Sequence, residues 1–183
     1  MRGTKKITIS AAVVALSALF LALGAFVDVL DLSACALASV LVVFVYIEIG
    51  SPYTYLVWLC TSLIAFLFTS GNPLIAAEYF TVFGIFPILK AYIEKLPKAL
   101  WLVLKLVYIN IVLVCALLFF ELLFGVPFFD TEGISFFGLD MRIIKMGLYL
   151  LLNVTFVLYD MLLTVLIRVY LFGFRSRISR FLK

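Results

Sequence analysis

Apolar positions in this chain come in long unbroken runs, separated by short polar or turn-forming stretches. A helix that crosses a bilayer needs about 20 predominantly apolar residues. The runs predict six such spans, over 7–26, 32–49, 53–69, 74–89, 100–124 and 141–174. Asp28 and Asp31 separate the first two. Gly50-Ser51-Pro52 and Ser70-Gly71-Asn72-Pro73 mark turns, because proline disfavours helix at the residue before it. A polar stretch over 90–98 follows the fourth span, Gly125-Val126-Pro127 ends the fifth, and a basic tail over 175–183 follows the sixth. The expected fold is all-α: one transmembrane domain over 1–183, a bundle of about six helices. The longest stretch outside the spans, 125–140, carries Phe128, Phe129, Phe136 and Phe137. It reads either as an interfacial lid or as a loop resting on headgroups.

Charge assigns an orientation to this layout. Six spans put both termini on one side. That side collects Arg2, Lys5 and Lys6, then Lys90, Lys95 and Lys98, then Arg175, Arg177, Arg180 and Lys183, which is ten of the fourteen basic residues. The other side holds Asp28, Asp31, Asp130, Glu132 and Asp140 with no lysine or arginine in its loops. The positive-inside rule then predicts a multi-pass protein of the cytoplasmic membrane with both termini in the cytoplasm. The net charge of +4 reports topology on this reading, and no nucleic-acid partner is expected. Leu32-Ser33-Ala34-Cys35 matches a lipoprotein box, but Asp28 and Asp31 interrupt the apolar stretch before it, so the first segment is read as a retained helix.

Composition agrees and removes soluble chemistry. Of the 183 residues, 67% are apolar and 13% charged, with a mean hydropathy of +1.29. A soluble domain is roughly 45–50% apolar and about 25% charged. Histidine is absent, which excludes imidazole catalysis and histidine-ligated metals. The three cysteines, Cys35, Cys60 and Cys115, stand singly in apolar runs and read as buried packing residues. No metalloprotease, nucleophile-elbow or phosphate-loop motif is present. The expectation is a protein that is not an enzyme, has no cofactor, and lacks an ATPase of its own.

Ionisable groups inside a span are costly and are functional candidates by default. Near the predicted outer face lie Glu78, Glu121, Arg142 and Lys145, with Asn72 and Tyr79 beside them in depth. They could pair with one another or line a pocket for a small polar solute. A second polar set comprises Glu48, Lys90, Lys105, Asn110, Asn153, Asp160 and Arg168. Asp160 sits about 12 Å from Arg168 along the helix, and Asn153 two turns further out at nearly the same azimuth. The expected pairs are Asp160 with Lys105 or Arg168, and Glu48 with Lys90 or Lys105. The first span carries Ala11, Ala15, Ala18, Ala22 and Ala25 on one face, which Ser10, Ser17 and Gly24 are read as widening. Small residues let helices approach closely in lipid, either within the bundle or against a partner.

Six spans, both termini inside, Ala11-xxx-Ala15 and Ala18-xxx-Ala22 on the first helix, and the opening Lys6-Ile7-Thr8-Ile9-Ser10-Ala11-Ala12 resemble the substrate-binding S components of energy-coupling factor (ECF) transporters. The resemblance implies a small-solute binding and transport subunit. It also implies that Ala11, Ala15, Ala18 and Ala22 dock to a transmembrane coupling subunit served by ATPases, and that Glu78, Tyr79, Glu121, Arg142 and Lys145 bind the solute near the outer face. The loop between the first two spans is shorter than in many S components, and the absence of histidine excludes the ligand pattern of the cobalt and nickel members. The alternative is a structural scaffold of the cell envelope, similar in size to MreD-type proteins, which binds partner helices and no solute; the MreD-like glycine and aspartate pattern is not present.

Overall fold

The computed structural model describes residues 3–69, 72–124 and 141–175. Among these the chain is helical, with no strand. Helix α1 (Gly3–Phe26) leads through a single 3-10 turn (Asp28–Leu30) into α2 (Asp31–Glu48), and α3 (Ser51–Phe68) follows. The next span consists of α4 (Pro73–Glu78), a wide π turn (Tyr79–Phe83) and α5 (Phe86–Ile93). Two long helices complete the order, α6 (Lys98–Phe124) and α7 (Met141–Val169), the latter continuing into a second wide turn (Tyr170–Phe174). Six helical stretches are long and apolar enough to cross a membrane: Gly3–Phe26, Asp31–Glu48, Ser51–Phe68, Pro73–Ile93, Lys98–Ala116 and Met146–Gly173. The chain is an all-α, multi-pass membrane protein.

The expected stretch 125–140, with Phe128, Phe129, Phe136 and Phe137, lies outside the described residues, as do Arg2, Ser70, Gly71 and the tail from 176 onward. The fourth span runs to Ile93, further than the expected 74–89. The sequence stops at Lys90 because a lysine ends an apolar run, but Lys90 Nζ lies 3.1 Å from Glu94 Oε1 one turn on, and the helix carries both. The π turn sits just before Pro87, which has no N–H to offer the Phe83 carbonyl. Its widened geometry is held by Gly84 N–H donating to Tyr79 O at 2.7 Å. Trp58 Nε1 donates to Phe80 O at 3.1 Å and its ring stacks on Phe80. A side chain thereby satisfies backbone that an ordinary turn would have satisfied itself.

The described chain divides into two compact units. One comprises Met1–Lys95 and Leu162–Lys183, the other Leu96–Met161. In the first unit α1 packs against α2 and α3, and α2 also lies along the whole of the α4–α5 span. Its interior is small and hydroxylated: Ser17, Ala38, Ser39, Thr54, Thr61 and Ser62 are buried, while Leu63, Leu67 and Phe172 are exposed. That distribution suits lipid. Hydrocarbon solvates leucine as well as a core does, so helices associate through close backbone approach instead.

α1 shows how this works and corrects one expectation. Its buried residues are Ser10, Val13, Ser17, Leu21 and Gly24. At 100° per residue, that face is about a third of a turn away from the alanine stripe. Ser10, Ser17 and Gly24 therefore do not widen the stripe; they form a separate, inward face. Ala11 and Ala15 are exposed, and Ala18, Ala22 and Ala25 are half-buried. The cysteine reading is also corrected in part: Cys35 is buried, whereas Cys60 and Cys115 are exposed on the apolar surface.

A Cβ built on Gly24 would lie 2.6 Å from Ala34 Cβ and 2.7 Å from Ile75 Cδ1, so the three helices meet at this residue. Overpacking of this kind costs about 1–3 kcal/mol. Gly24→Ala is expected to lower the midpoint of thermal unfolding in detergent, although the same exchange at an open position of a helix stabilises it.

Candidate functional site

The first unit has two polar ends. At the end carrying Asp31 and Asn72, the side chains come from α2, α3 and the α4 span. The chain leaves Thr69 through a turn in which Asn72 N–H donates to Thr69 O at 2.9 Å. Asn72 Nδ2 then donates to Asp31 Oδ2 at 3.2 Å. One turn deeper, the Cys35 thiol donates to Ile75 O at 3.6 Å. These two contacts set α2 and α4 side by side and parallel, each running inward from the same end. The register brings Glu78 and Tyr79 to the level at which Cys35 is buried, and Cys35 has both Asp31 and Glu78 as charged neighbours. Tyr79 is fully buried, with its hydroxyl beside Thr61 of α3 and near Cys35.

What distinguishes this end is unsatisfied hydrogen-bonding capacity. Asp31 Oδ1, Glu78 Oε2, Thr61 Oγ1 and Tyr79 Oη are buried without a hydrogen-bond partner, as are Ser10 Oγ and Ser17 Oγ along α1. The Tyr79 and Thr61 hydroxyls are neighbours, but neither completes a bond of ordinary geometry. Buried polar atoms are nearly always paired, and each exception asks for an explanation, an unseen ion or water among them. All six atoms are oxygens, and two belong to carboxylates. Within the described residues no lysine or arginine pairs with either carboxylate. No group of three or more cysteine, aspartate or glutamate residues there is arranged to hold a metal ion through those ligands alone.

At the opposite end Glu48 and Lys90 are both paired. Glu48 Oε1, at the close of α2, accepts from the Tyr170 hydroxyl at 3.0 Å and lies 3.3 Å from Arg175 Nε. Lys90 is buried, donates to Thr164 Oγ1 at 2.7 Å and pairs with Glu94. The expected partners of Glu48, Lys90 or Lys105, are thus replaced by residues far along the chain in α7 and the turn that follows it. Arg168 is exposed on α7 and takes no part in either group.

The second unit is an α6–α7 hairpin whose polar residues form a ladder. Lys105 Nζ donates to both oxygens of Asp160, at 2.9 and 2.8 Å. Of the two partners expected for Asp160, Lys105 is the one in contact. Lys105 Nζ also sits 5.9 Å from the centre of the Trp101 ring. The next rung joins Asn110 Nδ2 to Asn153 Oδ1 at 3.0 Å. The Tyr149 hydroxyl donates to Asn110 Oδ1, and Asn153 Nδ2 donates to Tyr149 O at 3.0 Å. An apolar trough beside this ladder is lined from Val103 to Cys115 by residues of α6 alone, with Asn110 its one amide.

The five residues expected to form one solute pocket divide between the units. Glu78 and Tyr79 belong to the first. Positions 121, 142 and 145 are helical in the second, and the side chains of Glu121, Arg142 and Lys145 lie outside the described residues. The residues that do lie near Glu78 are Asp31 and Cys35, while Thr61 lies beside Tyr79. Asp31 reads in sequence as a boundary marker, Cys35 as packing and Thr61 as an ordinary span residue. Only the parallel register of α2 and α4 makes them neighbours. A partial signal is the Asp31–Cys35 spacing of one helical turn, which places both on one face.

Comparison with protein-family models, curated proteins and solved structures returned no match. What the chain does has to be argued from these residues.

Removing one member of a buried ion pair strands the other and costs about 3–5 kcal/mol, whereas replacing both with apolar residues is often neutral. Asp160→Ala is therefore expected to destabilise the α6–α7 hairpin by that amount, and the double variant Lys105→Met with Asp160→Leu to recover most of it. Equilibrium unfolding in mixed micelles measures both.

Proposed function

We propose that this protein is a small-solute binding subunit of a membrane transport assembly of the ECF S-component type, with its energy supplied by separate ATPases through a coupling subunit. The observation that carries this reading is the cluster at Asp31, Glu78, Tyr79 and Thr61. A span interior stabilised only by packing has no use for these four oxygens without partners, and ionisable groups held there at a cost of several kcal/mol are a mark of solute or ion pathways. The other described buried charges of the first unit, Glu48 and Lys90, are paired, so Asp31 and Glu78 are an exception to how this unit treats its charges.

Two further features support the same reading. Within the stripe Ala11 and Ala15 are exposed at the surface of the first unit and Ala18 and Ala22 are half-buried, away from the fully buried face of α1, so a partner's helices can reach the N-terminal part of it. The basic residues gather at the ends of the spans opposite the cluster, which by the positive-inside rule puts both termini in the cytoplasm and the cluster toward the outer face of the cell membrane. The solute site is accordingly narrower than the pocket implied by the family resemblance. It uses Glu78 and Tyr79 with Asp31 and Thr61; the side chains of Glu121, Arg142 and Lys145 lie outside the described residues.

The scaffold reading rests on the same alanine face. It differs in expecting cell-envelope partners and no ligand.

Affinity purification from native membranes separates the two. The expected outcome is recovery of a coupling membrane protein together with ATPases, lost in Ala15→Leu or Ala18→Leu while the variant itself still inserts and folds. Recovery of envelope-assembly proteins instead, with no small molecule that shifts the unfolding midpoint, would favour the scaffold.

A further inference from the structure

The fourth span is interrupted in mid-course, and the interruption begins at Tyr79. We infer that Trp58 is a positioning residue for the proposed solute site: its indole N–H latches the wide turn over Tyr79–Phe83, and the latched turn is what carries Tyr79 inward to Thr61. This deepens the reading above and rests on it only for the use to which Tyr79 is put.

The spacing of inward positions requires the wide turn. Tyr79 and Gly84 are both buried, while Phe80 and Thr81 between them are exposed. At 100° per residue, five residues would leave Tyr79 and Gly84 about 140° apart on an α-helix, so no α-helix presents both inward. The π turn does so by taking the extra residue into one round, with Gly84 N–H donating to Tyr79 O at 2.7 Å, five residues back. Turns of this kind are rare and gather at functional sites. Glycine makes this one possible. A Cβ on Gly84 would lie 2.5 Å from Trp58 Cδ1, 2.8 Å from Tyr79 O and 3.0 Å from Tyr79 Cε1. The indole, the backbone of the turn and the Tyr79 ring therefore meet in the space that glycine leaves.

The hydrogen bonds give the turn two exclusive patterns. In an α-helix the Phe80 carbonyl accepts from Gly84 N–H, four residues on. Here that N–H is committed to Tyr79 O, and Trp58 Nε1 takes the vacated acceptor at 3.1 Å. Gly84 N–H and the indole N–H are thus alternative donors to one carbonyl. The bilayer has no water to stand in for the indole, so its loss leaves Phe80 O open, and the turn recovers a bond by closing to α geometry. That closure turns Tyr79 by about 100° relative to α5 and away from Thr61. Trp58 and Thr61 lie one turn apart on α3, so a single helix supplies both the latch and the group that Tyr79 meets.

Latching and packing are separable. The Trp58 ring stacks on Phe80 with centroids 5.0 Å apart, and Trp58→Phe keeps an aromatic face there while removing the donor. Gly84→Ala blocks the wide turn from the other side, since alanine suits an α-helix and only the π turn lacks room for its Cβ. Deleting Thr81 does the converse. It leaves four residues from Tyr79 to Gly84, a spacing that an α-helix already presents on one face, so Tyr79 stays inward with no latch.

The experiment is fluorine NMR of the purified full-length protein in detergent, with Tyr79 replaced by a fluorotyrosine that keeps the hydroxyl. Dissolved oxygen, which partitions into hydrocarbon, reports whether the ring faces the interior or the detergent. The expected wild-type spectrum is one resonance that oxygen barely broadens. In Trp58→Phe and in Gly84→Ala the resonance moves by more than its line width and broadens with oxygen. Deleting Thr81 in the Trp58→Phe protein returns the wild-type resonance. The same resonance in wild type and both variants overturns the assignment, as does a displacement that the deletion fails to reverse, which is the result of a packing role alone. Should both variants fail to fold, ultraviolet resonance Raman spectra of Trp101→Phe, in which Trp58 is the sole tryptophan, decide. A hydrogen-bonded indole N–H supports the latch, and a free one overturns it. These spectra depend on no solute or partner. An unmoved resonance with the coupling subunit and ATPases still recovered from native membranes removes the latch and leaves the proposed function standing; a moved and restored resonance with envelope proteins recovered instead does the reverse.

Discussion

Within the hydrocarbon of a bilayer there is no water to complete a hydrogen bond that the protein leaves open, and this constraint governs every polar atom in the chain. It explains the absence of strands among the described residues, since a helix closes its own backbone bonds. It also explains the manner in which departures from the α-helix are tolerated. The π turn at Tyr79–Phe83 carries a Trp58 donor on its Phe80 carbonyl, and Thr54, Ser62 and Thr69 return their hydroxyl hydrogens to carbonyls four residues back. The side-chain charges obey the same rule. Lys105 is bidentate to Asp160, Lys90 is held by Glu94 and Thr164, and Glu48 is held by Tyr170 and Arg175.

Against that background the cluster at Asp31 and Glu78 is informative because it breaks the rule. A chain that neutralises its other described buried charges leaves an oxygen of Asp31 and one of Glu78 without a hydrogen-bond partner. Local and global choices normally agree in a natural sequence, and disagreements gather where function has a claim on the residues. The packing around the site is not loose in compensation: Gly24, Ala34 and Ile75 are in close contact next to it. The polar atoms are open although the helices that carry them are tightly fitted.

α1 connects the two functional features. One of its faces, Ser10 to Gly24 in steps of seven, is spent on internal packing and lends the Ser17 hydroxyl to the polar interior. A neighbouring face, the alanines, is left available. A helix with a strict internal face and a separate small-residue face can hold its own bundle together while accepting another helix at its side. Any movement of α1 would be felt at Gly24, where it meets α2 and α4.

The number of spans, their approximate limits and the all-α class were legible in the sequence, because they depend on run length and on prolines and glycines acting locally. The alanine stripe was legible for the same reason, being a property of one helix. Its separation from Ser10, Ser17 and Gly24 follows from helix geometry, but which face is inward depends on where α2 and α3 lie. The Lys105–Asp160 pair was one of two options at the level of sequence, and the tertiary fold chose between them. Besides Glu94 one turn on, Lys90 is held by Thr164 of α7, and Glu48 by Tyr170 of the turn after it; both partners lie more than seventy residues away, and no periodicity reports that distance. Asp31, Cys35, Thr61 and Glu78 are the sharpest case. The sequence by itself determined that the chain would enter a membrane and that its charges there would need neutralising. Only the parallel packing of α2 on α4 decided which of them would be brought together unneutralised, because a contact between two helices is set by the register of their surfaces and not by the composition of either.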